Sequence, residues 1–499
     1  MPARVLEAPA TGDSLKAMDS GRWQTPSAQG PVRARLRLPG SKSITNRALM
    51  LAALSDGPSV VRGPLKARDS ALAVQALRAL GCVITEDGTQ LSISPSLPAT
   101  PTVSVDVGNA GTVMRFLPAV AALTPATVNF DGDPRARERP VGALLTALRE
   151  LGVQIDDGGR GALPFTLHGT GTVRGGSVTL DASGSSQLVS GLLLAAPRFT
   201  EGVEVRHEGP PVPSLPHIEM TVRMLRQAGA EVEVGYLAVA SGAAGTASGA
   251  AGTASGAPGT ASGAPGTAES RPNVWRVRPG RLRLGDFTVE PDLSNAGPFL
   301  AAAVVTGGTV TVADWPSDSL QASGPIVEVL TRLGATCSLG EDGLTVTGSG
   351  VINGIEADLR DIPELCLPLA AVAALASGPS VLTGVGHTRT QETDRLAAIT
   401  KEINALGGDV TERPDALEIR PRPLRAQAGH AWDSYDDHRM VMAAAVLGLA
   451  VPGIEVLNVA TVGKTFPTFT ALWAELLSSS GETAPGTPGD PGSTPEHAS

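Results

Sequence analysis

Basic residues stand in this sequence at places where helix physics disfavours them. Lys42 and Arg47 lie in SKSITNR (41–47), Arg115 in GNAGTVMR (108–115) and Arg439 in DDHRM (436–440), and each segment opens an Ala/Leu-rich run that reads as a helix. Three further segments hold the same place before such runs: SGSSQLVS (183–190), PDLSNAGP (291–298) and DIPELC (361–366). Their Ser, Asn, Asp and Thr residues are ordinary N-caps, so six caps are the plain reading. Caps do not account for cations at a helix N-terminus, where they oppose the dipole. An anion held there removes the conflict, because exposed backbone N–H groups and the positive helix end favour it. The loops DGDPRARERP (131–140), GPPVPSLPH (209–217), HTRTQETDR (387–395) and VGKTFP (462–467) add Arg135, Arg137, Arg139, Arg395 and Lys464. Gathered together, these groups form a positive cleft suited to small molecules carrying phosphate and carboxylate, which Arg reads bidentately. Glu364 and Glu392 stand among the basic loops. They are either ion-pair partners or proton-transfer groups whose pKa is set by burial and neighbours.

What would gather them is an internal repeat. A helix ending in Leu-Gly or Ala-Gly, followed by a short strand, recurs as LRALGCVI (77–84), LRELGVQI (148–155), LRQAGAEV (225–232), LTRLGATC (330–337) and INALGGDV (403–410). The starts are separated by 71, 77, 105 and 73 residues, and the 105 becomes 77 once the 28-residue insert at 241–268 is set aside. The Gly is the expected left-handed helix cap. Ahead of these come six Ala/Leu-rich helices, each passing through a Gly or Pro turn into a Val-rich strand. Helix, strand, helix and hairpin in alternation predict α/β units with buried helices. Packed with matching ends together, six such units bring the polar segments face to face.

The chain of 499 residues exceeds what one core usually serves, so at least two domains are expected. Aromatic residues are 3% and net charge is −10, which disfavours a base-stacking nucleic-acid binder and broad attachment to acidic membranes. Cys82, Cys337 and Cys366 are far apart in apolar contexts and read as buried small hydrophobes in a reducing compartment. No signal-like or membrane-spanning stretch is legible, so a soluble cytoplasmic protein is expected. Residues 1–30 and 480–499, rich in Pro, Gly, Ser, Thr and Ala, read as flexible tails. The insert reads SGAAGTA, SGAAGTA, SGAPGTA, SGAPGTA and is expected to extend a hairpin between AEVEV and NVWRVRP, without a role in chemistry.

As an ordered set, LPGSKSITNRALMLAAL, GNAGTVMR, DGDPRARERPVG, SSQ, QETDRL, DDHRMVMA and KTFP resemble the signatures of EPSP synthases across residues 31–475, the insert apart. The resemblance implies a two-domain inside-out α/β barrel of six βαβαββ repeats, three per domain, with the active site in the interdomain cleft. Residues 31–41 plus 290–479 would form one domain and 42–289 the other. It implies transfer of the enolpyruvyl group of phosphoenolpyruvate to the 5-hydroxyl of shikimate 3-phosphate, in a monomer whose partners are its substrates, with no metal or organic cofactor. Lys42, Ser43, Arg47, Ser185, Ser186, Gln187, Ser214, Glu364, His387 and Gln391 would hold shikimate 3-phosphate. Lys42, Gly111, Arg135, Gln187, Arg395, Arg439 and Lys464 would hold phosphoenolpyruvate. Lys42, Glu364, Glu392 and His438 would be catalytic, Glu392 exchanging a proton at carbon 3 and Glu364 serving as base near the hydroxyl. Glu364, His387, Gln391 and His217 depart from the Asp, Asn, Lys and Tyr frequent in the family, which bears on proton relay and acceptor contacts.

Two other readings are weaker. The sister UDP-N-acetylglucosamine enolpyruvyltransferases usually carry Lys-Asn where this chain has Lys42-Ser43, lack an equivalent of Arg47, and tend to carry a Cys in the loop matching DGDPRARERP. A non-catalytic repeat scaffold would have lost the charged positions. GSKS (40–43) is not a phosphate loop, because Ser41 precedes Lys42 and position 35 is Arg. GTGTVRGG (169–176) is not a dinucleotide fingerprint, and seven histidines show no HExxH spacing.

Overall fold

The computed structural model describes residues 5–7, 21–96, 100–236 and 271–478. The heptad insert and residues 480–499 lie outside the described residues. Twelve α-helices alternate between two roles along the described chain. The first helices of the repeats are α1 (Lys42–Ala53), α3 (Gly111–Ala121), α5 (Ser186–Ala195), α7 (Leu293–Thr306), α9 (Cys366–Ala374) and α11 (His438–Gly448). The second helices are α2 (Arg68–Ala79), α4 (Gly142–Glu150), α6 (Leu215–Gln227), α8 (Ser323–Arg332), α10 (Arg395–Ala405) and α12 (Phe469–Ser478).

One repeat shows how sequence sets the unit. Thr102–Asp106 runs parallel to Thr127–Asp131 across α3, and the hairpin Gln154–Asp156 with Phe165–His168 then adds antiparallel. Alternation of buried and exposed residues along Thr102–Asp106 places one face on the helices and one in water. The first helices are apolar on nearly every side and lie inside: α3, α9 and α11 are buried along their whole length. The five Leu-Gly and Ala-Gly turns place Gly81, Gly152, Gly229, Gly334 and Gly407 at φ between 92° and 105°, the left-handed cap that glycine adopts without steric penalty. The described residues form six sheets, one per repeat; the sixth has three strands.

Apolar contacts divide into two clusters. One is built from residues of 44–289 with Leu320, the other from residues of 32–38 and 293–476. The chain passes between them at two points that pair with each other: Gly40 bridges Pro291, Ser41 N–H donates to the Glu290 carbonyl at 2.8 Å and Asp292 N–H donates to the Pro39 carbonyl at 2.9 Å. The first lobe borrows Asp286–Thr288 to complete its opening sheet, and the second lobe borrows Arg33–Arg37.

Part of the N-terminal segment departs from the tail expected of residues 1–30. Val5–Glu7 pairs parallel with Arg35–Arg37, and Arg22–Gln24 pairs antiparallel with Glu455–Leu457. Trp23 then meets Phe469 edge-on at 6.4 Å. Among the described residues the last repeat has no hairpin in its sheet, and the upstream strand covers an edge of that sheet. Of the cysteines, Cys82 and Cys366 are buried and Cys337 is half-buried. No described helix is long and apolar enough to cross a membrane.

Candidate active site

All six first helices point their N-termini at one cavity between the lobes. Its wall takes Ser41–Ser43 from α1, Gly111, Thr112 and Arg115 from α3, and Gly184–Gln187 from α5. Asp292–Ser294 come from α7, Asp361–Leu365 from the approach to α9, and His438 and Arg439 from α11. None of these helices carries an acidic residue in its first turn. Six helix N-termini therefore aim at one space; Asp292 caps α7 and accepts from Lys42 N–H of α1, Asp437 caps α11, and the remaining ends favour an anionic occupant. The starts of α6 and α10 complete the wall with Ser214, His217, Gln391, Glu392 and Arg395.

Gly111 lets three polar side chains meet. A Cβ there would stand 2.7 Å from Arg139 Nη2, 3.0 Å from Arg115 Nη1 and 3.2 Å from Gln187 Oε1. Arg115 Nη1 donates to Gln187 Oε1 at 3.1 Å, and Arg139 Nη1 donates to the carbonyl and Oδ1 of Asn109 at 2.9 and 2.8 Å. Burial drives the Arg115 pKa down to about 9, with Arg139 repelling it. An anion at this point would relieve both effects.

Opposite stands α10. Arg395 Nε donates to Asp437 Oδ2 at 2.7 Å and Nη2 to Glu392 Oε2 at 3.1 Å, and Gln391 Oε1 accepts from Nη1. Burial pushes the Glu392 pKa up, but Arg139, Arg395 and Lys464 together hold it well below the usual carboxylate range. Burial opposes ionisation of Glu364 as well; His217, with Nε2 3.5 Å from Oε1, and Arg439 bring its pKa below the ordinary value. His438 has both ring nitrogens without a hydrogen-bond partner among the described residues, and burial with Arg439 beside it holds its pKa well below the ordinary value. His387 is neutral for the same reason, its pKa lowered to about 4 by burial. Lys42 Nζ lies 3.5 Å from Asp69 Oδ2; burial lowers its pKa and Asp69 opposes that shift.

The structure gathers most of the expected residues on this wall: Lys42, Ser43, Gly111, Ser185, Ser186, Gln187, Ser214, Glu364, His387, Gln391, Glu392, Arg395, His438 and Arg439. Three stand elsewhere. Arg135 faces a neighbouring cleft, where it pairs with Glu138 at 2.6 Å and donates to the Gln391 and Arg389 carbonyls at 3.2 and 3.4 Å. The short turn Pro134–Glu138 carries Arg135 outward and delivers Arg139 to the cavity, so Arg139 corrects that expectation. Lys464 lies behind Glu392, donating to Asp69 Oδ1 and Oδ2 at 2.8 and 2.7 Å and to the Asn109 carbonyl at 3.0 Å. Arg47 lies behind Ser43 and His217, donating to the Ser43 and His217 carbonyls at 3.0 and 2.9 Å and to the Thr221 hydroxyl at 2.7 Å. Those acceptors are neutral, and burial lowers the Arg47 pKa to about 9. Arg115, Asp69 and His217 complete the charge pattern. Arg115 was legible from its helix start; nothing in the sequence marked Asp69, which sits in the first turn of a second helix.

Fold and cavity together define the class: two-lobed α/β proteins with a cation-rich cavity where helix N-termini converge and with the carboxylates of Glu364 and Glu392 on its wall. Comparison with known proteins narrows this. The sequence model described as EPSP synthase (3-phosphoshikimate 1-carboxyvinyltransferase) matches residues 26–244 and 261–473. A 3-phosphoshikimate 1-carboxyvinyltransferase of Kocuria rhizophila is 48% identical over 486 residues, spanning 94% of this chain and 100% of that protein. An EPSP synthase structure from Acinetobacter baumannii superposes with a TM-score of 0.70 at 24% identity, covering 91% of this chain and 98% of the other. The enolpyruvyl transferase NikO from Streptomyces tendae superposes at 0.65 with 17% identity, covering 91% and 97%. These last two likenesses concern the fold. The chain belongs to the EPSP synthase family and is a transferase.

Proposed function

We propose that the interlobe cavity joins phosphoenolpyruvate to the 5-hydroxyl of shikimate 3-phosphate and releases inorganic phosphate. The convergence of six helix N-termini with Lys42, Arg115, Arg139, Arg395 and Arg439 on one space carries this reading. The donor's phosphate and carboxylate fit among Lys42, Gly111, Gln187, Arg139, Arg395 and Arg439, with Lys464 adding charge from behind. Shikimate 3-phosphate fits the side of Ser43, Ser185, Ser186, Ser214, His387 and Gln391, where the Arg47 charge, matched by no carboxylate among the described residues, favours an acid group.

In the first step Glu364 takes the hydroxyl proton as the oxygen attacks carbon 2 of the donor, and carbon 3 gains a proton. In the second, carbon 3 gives up a proton and the carbon–oxygen bond to phosphate breaks. Glu392 serves both proton movements at carbon 3. Its ionised state in the unliganded site suits the second step. For the first, the donor's charges neutralise Arg139, Arg395 and Lys464, the cations that hold the Glu392 pKa down, so donor binding itself favours protonation. Neutral His438 beside the site can share that proton, and the buried cations stabilise the charge that develops.

We read residues 42–289 as one domain and 31–41 plus 290–479 as the other, in support of which the apolar contacts form two clusters. A cytoplasmic monomer without nucleic-acid or membrane partners accords with the charge of −10. The test is phosphate release from phosphoenolpyruvate with shikimate 3-phosphate, run beside UDP-N-acetylglucosamine as acceptor. Release with shikimate 3-phosphate alone, abolished in Lys42→Met, is expected. Release with the other acceptor alone, or with neither in folded protein, overturns the reading.

A further inference from the structure

A further buried carboxylate, outside the cavity, is tied to the segment that presents Arg439. Glu402 lies on α10, 1% exposed, and accepts from the Tyr435 hydroxyl at 2.6 Å while its other oxygen lies 3.0 Å from His430 Nε2. A carboxylate taken out of water this fully needs both contacts. Glu402 is seven residues after Arg395, so the two side chains lie on one face of α10, two turns apart. Arg395 holds Asp437 at 2.7 Å. Helix α10 thus grips the approach to α11 through His430, Tyr435 and Asp437.

Between two of these grips the backbone is strained. Tyr435 and Asp436 have φ of 52° and 55°, a region that side chains other than glycine enter at a penalty. These residues turn the chain into Asp437, whose Oδ1 accepts from Arg439 N–H at 2.9 Å and caps α11, from which His438 and Arg439 reach the cavity. Neither Glu402 nor Tyr435 lines that cavity.

We propose that Glu402 is a positioning residue for the reaction: through Tyr435 it holds the left-handed turn that aims His438 and Arg439 at the donor. This rests on the donor site proposed above. Loosening the grip acts on the donor side, because the serines assigned to shikimate 3-phosphate belong to the other lobe. Misplacement by about 1 Å can reduce turnover up to about a hundredfold.

The variants are Tyr435→Phe, which removes one hydroxyl and keeps the ring, and Glu402→Ala and Glu402→Gln, in the full chain. Tyr435→Phe and Glu402→Ala are expected to raise KM for phosphoenolpyruvate and lower kcat, together by about tenfold or more in kcat/KM. The Kd for shikimate 3-phosphate alone should stay within about twofold. Glu402→Gln keeps an oxygen acceptor for Tyr435 and is expected to recover most of the loss. If Glu402→Ala fails to fold, Tyr435→Phe carries the test. Kinetics within twofold of the parent in Tyr435→Phe, whatever the melting temperature, would overturn the proposal, as would equal weakening of both substrates. An inactive parent protein would instead overturn the assignment of the reaction.

Discussion

At the scale of single residues, the proposed donor side of the cavity depends on a missing side chain. Gly111→Ala would set a methyl 2.7 Å from Arg139 Nη2 and 3.0 Å from Arg115 Nη1, and both guanidinium groups must then give way. The expected outcome is a loss of about tenfold or more in kcat/KM for phosphoenolpyruvate with little change in melting temperature, read by steady-state kinetics and a thermal scan. An unchanged KM for the donor would remove Gly111 from that site. His387 gives a second outcome. Its pKa falls from an ordinary 6.5 to about 4 through burial. The unfolded chain therefore binds the extra proton first as pH drops, so this contribution to stability is present above about pH 6.5 and is lost as pH falls toward 4. Between pH 7 and pH 5 it amounts to about 2 kcal/mol. His217 and His438 shift in the same direction. Urea unfolding of His387→Gln at the two pH values should show a pH dependence flatter than the parent's by that amount; identical slopes would refute it. Residue identities were legible from type and spacing, but the choice between Arg135 and Arg139 was not. Four residues around a short turn decide which guanidinium enters the cavity, and composition carries no record of that rotation.

Elements were legible where local pattern and tertiary need agree. The first helices announce themselves by Ala and Leu on all sides, because they are buried on all sides. The Gly-terminated second helices announce their ends by a left-handed cap. Arg22–Gln24 gave no such signal: it is three residues long, and its partner Glu455–Leu457 lies more than 400 residues later. Its contribution is tertiary, through Trp23 against Phe469 and Thr25, whose N–H and hydroxyl donate to the Ile454 carbonyl. Removing residues 1–20 should leave Arg22–Gln24 in place. Removing 1–27 opens the edge of the last sheet and is expected to lower the apparent melting temperature by about 5 °C relative to the shorter deletion. Equal melting of the two truncations would show that the strand contributes nothing. The insert is the converse case. It falls between Val232–Gly235 and Val274–Val277, which pair in register with Gly235 opposite Val274. The hairpin is set by that pairing, so deleting residues 241–268 is expected to leave kcat/KM within about twofold and stability within about 0.5 kcal/mol. A larger change would assign the repeats a role that sequence and register do not suggest.

At the scale of the whole molecule, the lobes meet through polar contacts around the cavity. Lys464 with Asp69 and Arg135 with the Gln391 carbonyl lie on one side; Ser214 N–H on the Arg360 carbonyl and Arg271 on Asp361 lie on another. A polar seam can separate and re-form more readily than an apolar one, so opening of the lobes around substrate is the expected motion. Arg271 is the informative contact. Its guanidinium holds both Asp361 oxygens at 3.1 Å, joining the lobes beside Glu364, and it lies outside the cavity wall. The side chains are 35% and 33% exposed, which places the pair among those worth about 0.5–1 kcal/mol. If the pair exists only in the closed form, Arg271→Ala shifts the open-to-closed ratio by the same energy, about two- to fivefold. Shikimate 3-phosphate, binding the closed form better, should then show a Kd raised by about two- to fivefold, chiefly through faster dissociation, with kcat unchanged or higher where release limits turnover. Stopped-flow binding separates these terms. A fall in kcat at unchanged Kd would mean that Arg271 acts on Glu364 through Asp361, and the seam would then govern the chemistry instead of access to it.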